Sequence, residues 1–431
     1  MLDIAFIRSN PDVVKQAAKN KGIDVDIDKL LEVDERRRKL ITTVDELRAR
    51  RNELSSSIPK LQGEEKQQTI VESKRIGAVI PTVEAELNEV AAEFDALMYI
   101  VPSVPAPEVP IGEGEEDNQE VSRWGAPRTF DFPQKDHIEL ATSLGLVDFE
   151  GPRRFAGSRS YALKGDGVFL EQAVLLFTLQ YIADRGATPV SPPVIVKENA
   201  MLGTGYFPLG YEEAYRIEKD GLYLCGTSEV GLVSLHYGET LNLEDLPIRY
   251  GGISPCFRRE AGAAGRDTKG LYRVHQFMKV EQVVFCENDE EISRQEHYRI
   301  LANAQGILEA LKLPHRVALA CTKELGLGQV RKHEVETWMP SRNTYSETHS
   351  CSTLHDFQAR RSNIRYRDAN GKLRFVHTLN NTAIASPRIL IAILENYQNE
   401  DGSVTIPEVL QPYMRGQKRI EPVKQKSQAA E

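Results

Sequence analysis

Residues 254–281 read SPCFRREAGAAGRDTKGLYRVHQFMKVE, and this stretch decides how the remainder of the chain is understood. A strand-like run ends at Cys256 and Phe257, and Arg258 and Glu260 follow. The segment 261–270, AGAAGRDTKG, holds no apolar residue larger than alanine. From Tyr272 to Val284 apolar residues return at Val274, Phe277, Val280 and Val283, mixed with polar ones. The pattern predicts two strands around a mobile, charged loop that is too long for a tight turn.

Side chains alternate along a strand, so Arg258 and Glu260 are expected on one face. A guanidinium can clamp a phosphate through paired N–H donors. A neighbouring carboxylate can accept from an amino group such as that of adenine. Phe277 can stack on a base, with Arg273 four residues earlier on the same face. These residues suit a nucleotide held over an antiparallel sheet. They equally suit a surface hairpin with ordinary ion pairs, which is the commoner use of Arg and Glu on strands.

The chain has 431 residues, enough for two domains or one large one. Its 41% hydrophobic and 27% charged residues are ordinary for a globular protein. There is no apolar run of membrane-spanning length and no basic, apolar, small-residue secretion signal at the N-terminus. Five scattered cysteines, none in a C-x-x-C pair, point to a reducing cytoplasm rather than a zinc cluster or a disulfide framework. The net charge of −9 works against RNA binding overall. A local basic face is still available at Arg36, Arg37, Arg38, Lys39, Arg48, Arg50 and Arg51.

Residues 1–25 predict a short helical lead-in, with Asn10, Pro11 and Asp12 as a start signal. A heptad then runs through Leu30, Val33, Arg37, Leu40, Val44, Leu47, Arg51, Leu54, Ile58 and Leu61. A second follows through Ile76, Ile80, Val83, Leu87, Val90, Phe94 and Leu97. With LQGEEKQQT as a polar connector, the two predict an antiparallel helical hairpin, which is more often structural or oligomerising than RNA-binding. Pro59 and Pro81 predict a kinked or shortened tip.

Residues 103–125, rich in Pro, Gly and acidic side chains, are expected to be a linker. The body is expected from 126 to 415, beginning near Arg128. Phe169, Ala173, Leu176, Leu179 and Ala183 mark a helix, followed by a glycine and a strand. Thr227 and Glu229 sit together after a strand, where they could simply cap the next helix. A last helix is expected from about Pro387 to Tyr397, with Arg388 at its start, where helix N–H groups favour phosphate. Residues 416–431 are expected to be a disordered tail.

FRREAGAAGRDTKGLYRVHQFMKVE resembles the second signature motif of bacterial-type seryl-tRNA synthetases, a class II aminoacyl-tRNA synthetase family. TSE at 227–229, CSTLHDFQARR from Cys351, VHTLN from Val376 and AILENYQNEDGSVTIPEVLQPYM from Ala392 support the resemblance, which runs from MLDIAFIRSNPD to Met414. It implies an α+β fold: an N-terminal helical-hairpin arm over 1–102 and a catalytic domain on an antiparallel sheet flanked by helices. It implies a cytoplasmic homodimer that uses ATP and Mg2+ to activate L-serine and charges tRNA-Ser, and tRNA-Sec, with the arm reaching the long variable arm.

The matched positions carry these implied roles. Arg258 contacts the α-phosphate and, with Arg388, is catalytic. Glu260, Arg273, Val274 and Phe277 also hold ATP. Glu347 and Ser350 hold ATP and its magnesium ion. Thr227, Glu229, Arg258, Glu281, Asn380 and Thr382 surround serine. Arg36, Arg37, Arg48 and Arg51 contact tRNA. His349 carries no implied role and reads as an incidental surface imidazole.

The match departs from the family at 379–388, where LNNTAIASPR stands in place of LNGSGLAVGR, and at ETHSC in place of EISSC. Asn381, Ala383 and Pro387 replace glycines, and side chains there add bulk near a ligand. These changes leave two alternatives open. One is a paralogue that activates another small amino acid or charges a carrier other than tRNA. The other is a non-catalytic RNA- or partner-binding dimer, expected to show the side chain of Asn381 or Pro387 filling the ATP volume.

Overall fold

The computed structural model describes residues 1–263 and 269–423. Half of the loop expected to be mobile, 264–268, and the end of the tail, 424–431, lie outside the described residues. The chain forms two compact units, Met1–Pro102 and Ser103–Glu431.

In the first unit two short helices, α1 (Ile4–Ser9) and α2 (Pro11–Lys21), lead into two long ones, α3 (Ile27–Ser57) and α4 (Gly63–Tyr99). Asp26 caps α3 by accepting from the Lys29 backbone N–H at 2.9 Å. Ile7, Val14, Leu30, Val33, Val90, Phe94 and Met98 form one buried cluster, and Leu54, Ile76 and Ile80 a second further along. Each buried aliphatic or aromatic side chain contributes about 1.5–3 kcal/mol. Two expectations change here. LQGEEKQQT is not a connector, because α4 already begins at Gly63. Pro59 ends α3 in a single 3₁₀ turn, Ile58–Lys60, whereas Pro81 lies inside α4 without interrupting it.

The second unit is built on an eight-stranded sheet. Its strands are β1 (Gln119–Trp124), β2 (Thr188–Val190), β3 (Ile248–Phe257), β4 (Gln276–Cys286), β5 (His315–Leu319), β6 (Arg331–Met339), β7 (Thr344–His355) and β8 (His377–Ala385). The order is β1-β5-β6-β7-β8-β4-β3-β2, antiparallel except where β2 joins β3. Helices α5 (Asp166–Ala183), α7 (Glu290–Ala310) and α8 (Ser386–Asn396) pack on the sheet over Val280, Val284, Val335, Leu379 and Ile384. A short helix, α6 (Glu229–Ser234), packs against β3 and β4.

Residues 103–125 are not a free linker. Ser103 and Ala106 donate backbone N–H bonds to Leu327 and Val330, Glu108 pairs with Arg331, and 119–124 supply the edge strand β1. Glycine, proline and acid content suggested a tether, but backbone pairing and the buried Val109 anchor it. The tail is also ordered further than expected. Val404–Thr405 pairs with Arg419–Ile420, and Ile420 is buried. In α5 the buried side is Leu170, Ala173, Val174, Leu175, Thr178 and Ile182, while Phe169 and Leu176 of the expected stripe are exposed.

Candidate active site

The strand pair β3–β4 delivers the central residues. Phe277 lies opposite Cys256 in register. β3 ends at Phe257, so Arg258 and Glu260 lie beyond the strand and do not share a face through its alternation. Glu260 instead adopts a left-handed backbone, φ 54°. That turn still brings both side chains to one cavity. Arg258 donates from Nε to the Gly226 carbonyl at 3.3 Å, with its guanidinium carbon 5.3 Å from the Phe277 ring centre. A Cβ at Gly226 would stand 3.3 Å from Arg258 Cγ, so glycine allows this close approach. Arg273 donates to Glu260 at 3.1 Å.

The cavity encloses about 400 Å³ above the sheet. Arg258, Glu260, Arg273, Val274, Phe277, Glu347, Ser350 and Arg388 all line it. So do Glu229, Glu281, Asn380 and Thr382. Strand alternation by itself would place Glu347 and Ser350 on opposite faces. The β6–β7 register skips Thr348, because Val335 pairs with His349 and Glu336 with Glu347. The β4–β8 register likewise skips Ala383, because Val280 pairs with Ile384 and Glu281 with Thr382. Bulges of this kind re-aim side chains beside ligand sites.

At one end, Arg388 at the start of α8 donates to the Glu347 carbonyl at 2.6 Å and to its Oε2 at 3.1 Å. Burial pushes the Glu347 carboxyl up, but Arg388 and Lys332, then Arg258, hold it below the usual carboxylate range. Glu347 and Ser350 offer a carboxylate and a hydroxyl on one wall. Two hard oxygen donors fit a magnesium ion that takes its other ligands from phosphate and water.

At the other end, Glu229 accepts from Tyr206 at 2.9 Å, Gln358 at 2.7 Å and Asn380 at 2.7 Å. Glu281 is buried, and its Oε2 is the oxygen that pairs with the Lys279 ammonium. Burial raises its pKa, and Lys279 opposes the rise.

Thr227 is not on the cavity wall. It is buried behind Lys279, whose Nζ donates to its hydroxyl at 3.2 Å. His349 is not a surface residue: it is 1% exposed, with Nδ1 2.8 Å from the Thr348 hydroxyl, and burial pushes its pKa down to about 3. The side chain of Asn381 does not fill the cavity, because it is fully buried and bonded to Gln282 at 2.6 Å. Pro387 reaches the wall but leaves the cavity open.

Lys279, Tyr206 and Gln358 were missed from sequence. Lys279 could have been found, since it lies two residues after Phe277 on the same strand face. Tyr206 has no local signature, because it meets Glu229 only through tertiary packing.

On α3 the four candidate arginines differ. Arg36 and Arg48 pair with Glu86 and Glu84 at 2.6 and 2.7 Å, while Arg51 is exposed. Arg37 is turned inward, stacked 4.1 Å over Phe94 and 3.7 Å from Asp34. Its place on the heptad seam explains why packing takes it.

Among the described residues no helix is long and apolar enough to cross a membrane. Residues 1–105 match the seryl-tRNA synthetase N-terminal domain, and 214–397 match the tRNA synthetase class II core domain (G, H, P, S and T). The chain is 47% identical to the serine–tRNA ligase of Symbiobacterium thermophilum, over 96% of this chain and 99% of that one. It is 45% identical to that of Deinococcus radiodurans, over 96% and 98%. Among solved structures, the seryl-tRNA synthetase of Pyrococcus horikoshii complexed with ATP aligns at TM-score 0.91 and 38% identity, over 98% of this chain and 100% of that one. The cytoplasmic serine–tRNA ligase of Naegleria fowleri in complex with AMP aligns at 0.86 and 31%, over 98% and 99%.

Proposed function

The chain belongs to the seryl-tRNA synthetase family and is an ATP-dependent serine–tRNA ligase, and from that premise we propose how its own residues divide the work. A serine carboxylate oxygen attacks the α-phosphorus of ATP, and pyrophosphate leaves. A terminal ribose hydroxyl of tRNA then attacks the seryl carbonyl, and AMP leaves. Neither step needs a covalent intermediate with the protein, so catalysis is positioning and charge stabilisation.

Arg258 lies along the α-phosphate and Arg388 along the triphosphate tail, with Arg273 near its end. Phe277 stacks on adenine, Val274 packs beside it, and Glu260 accepts from the adenine amino group. Glu281 and Glu229 face the serine ammonium and hydroxyl, with Asn380 and Thr382 beside them. Thr227 supports Lys279 from behind. Glu347 and Ser350 would hold magnesium, which supplies charge neutralisation on the phosphates.

The observation that carries this assignment is the single cavity. It holds guanidiniums at one end and the buried Glu229 and Glu281 carboxylates at the other. The test is serine-dependent pyrophosphate exchange. Arg258→Ala should lower kcat/KM by roughly 10²–10³, the usual effect of losing one charge-stabilising donor. A loss under fivefold would contradict the role given to Arg258.

The assembly is a homodimer in this reading. Edge strand β2 is three residues long, and the neighbouring α5 exposes Phe169 and Leu176 at 42% and 48%. Exposed apolar side chains beside an open sheet edge suit a second copy of the chain. The hairpin α3–α4 contacts the long variable arm of tRNA-Ser through Arg36, Arg48 and Arg51, reading backbone and shape. Five free, buried cysteines suit a cytoplasmic setting.

A further inference from the structure

Pairing between β7 and β8 covers only part of either strand. It runs from His355 opposite Thr378 to Cys351 opposite Asn381, and there it stops. Beyond that point β7 carries Ser350 and Glu347, and β8 carries Thr382. The two strands part at the cavity, with the proposed phosphate wall on one and the amino-acid wall on the other.

The side chain of Asn381 sits at the parting point. It is 0% exposed, and its sequence neighbours Asn380 and Thr382 line the cavity while it does not. Its Nδ2 donates to the Ser350 carbonyl at 3.0 Å, where the backbone ladder has run out. Its Oδ1 accepts from Gln282 Nε2 at 2.6 Å on β4. Gln282 Nε2 also donates to the Ile300 carbonyl at 3.1 Å, and its Oε1 accepts from Asn303 at 2.7 Å, both on α7. Both polar atoms of the Asn381 amide are therefore used. The chain of amides ties α7, β4, β8 and β7 together behind the cavity.

We infer that Asn381 is a positioning residue: its amide continues the β7–β8 ladder by one bond and fixes Ser350 relative to Thr382. The inference rests on the roles proposed above for the cavity. A glycine at 381 would offer no such tie. The bond is made by a buried amide to a partly buried backbone carbonyl. Removing the donor leaves that carbonyl unsatisfied and lets the β7 wall drift. Supporting groups of this kind commonly change metal affinity 10- to 100-fold when lost.

The experiment is calorimetric titration of the full-length protein with ATP at fixed magnesium and no serine, alongside thermal unfolding and serine-dependent pyrophosphate exchange. Asn381→Ala should weaken ATP binding roughly tenfold in magnesium and under threefold without it. The KM for serine should change less than the KM for ATP. Asn381→Ser keeps a short donor and should recover part of the loss, and it carries the same comparison if the alanine variant fails to fold. Asn303→Leu removes the far end of the network without touching Ser350. It should lower Tm while leaving magnesium-dependent ATP affinity within twofold.

The inference is overturned if Asn381 variants bind ATP in magnesium as wild type does. It is also overturned if Asn303→Leu weakens binding as much as they do, since general loosening would then explain both. Failure of the underlying site reading is distinguishable: the wild-type protein itself would show no magnesium-dependent ATP binding.

Discussion

The buried pair Lys279–Glu281 lines the end of the cavity proposed to take the amino acid. Both side chains are under one-tenth exposed, so each charge depends on the other. Lys279→Met leaves a carboxylate without its counter-charge, and breaking a buried pair from one side typically costs about 3–5 kcal/mol. We predict a clear fall in Tm for that variant and a larger KM for serine. Glu281→Gln should raise the KM for serine with little change in the KM for ATP. Equal changes in both constants would contradict the separation of the two ends. Thr382 carries a methyl group that a serine would lack. The structure seats it on the wall with the cavity still open, so the methyl narrows the pocket without closing it.

At the level of strands and helices, the two neighbouring bulges explain what sequence reasoning could reach. Every cavity residue inferred from a motif except Thr227 does line the wall. The stated reason failed for Arg258 and Glu260, because period-two alternation ends where β3 ends. Composition misjudged 103–125, since Pro, Gly and Glu describe a free tether as well as a docked extended segment. Asn381 lies between Asn380 and Thr382, which line the cavity, so plain strand alternation turns its side chain to the other face, and the bulge at Ala383 does not affect it. Thr348 and Ala383 carry no local mark of being bulged, and only the registers of β6 with β7 and of β4 with β8 reveal them.

Beneath the same strands, His297 Nε2 lies 2.8 Å from His333 Nδ1, and His377 Nδ1 lies 3.2 Å from the Ser293 hydroxyl. Burial lowers all three pKa values, to about 4 for His333 and about 3 for His377. Below an ordinary histidine pKa of about 6.5 the unfolded chain takes up protons that the folded chain refuses. Unfolding then binds protons, so these histidines make stability fall as pH drops from about 6.5 towards 4. The buried Glu281 acts the other way, because its raised pKa favours the folded state at low pH. We predict that His333→Gln flattens the decline of Tm over pH 6.5–4.5. An unchanged slope would contradict the assignment of the decline to this pair.

At the scale of the whole molecule, activation belongs to the second unit and tRNA contact to the first in the proposed reading. On the helical hairpin, Arg48 is paired with Glu84 and Arg51 is exposed, so in the proposed tRNA contact a phosphate would displace a carboxylate at Arg48 and meet Arg51 directly. Arg51→Ala should lower kcat/KM for tRNA charging several-fold and reduce its salt dependence by about one counterion's worth. Pyrophosphate exchange, which needs no tRNA, should be unaffected. For the dimer, Leu176→Glu should shift the protein towards monomer in sedimentation analysis. A species of unchanged size would move the interface elsewhere.

The central claim is that one cavity holds ATP beside a pocket shaped for serine. The most direct measurement is ATP–pyrophosphate exchange by the purified protein with serine, threonine, alanine, glycine and cysteine in turn. The account predicts exchange that depends on serine and magnesium, with the other amino acids at least tenfold poorer in kcat/KM, as the loss or addition of one methyl or hydroxyl implies. Exchange driven better by another amino acid, or by none, would contradict it.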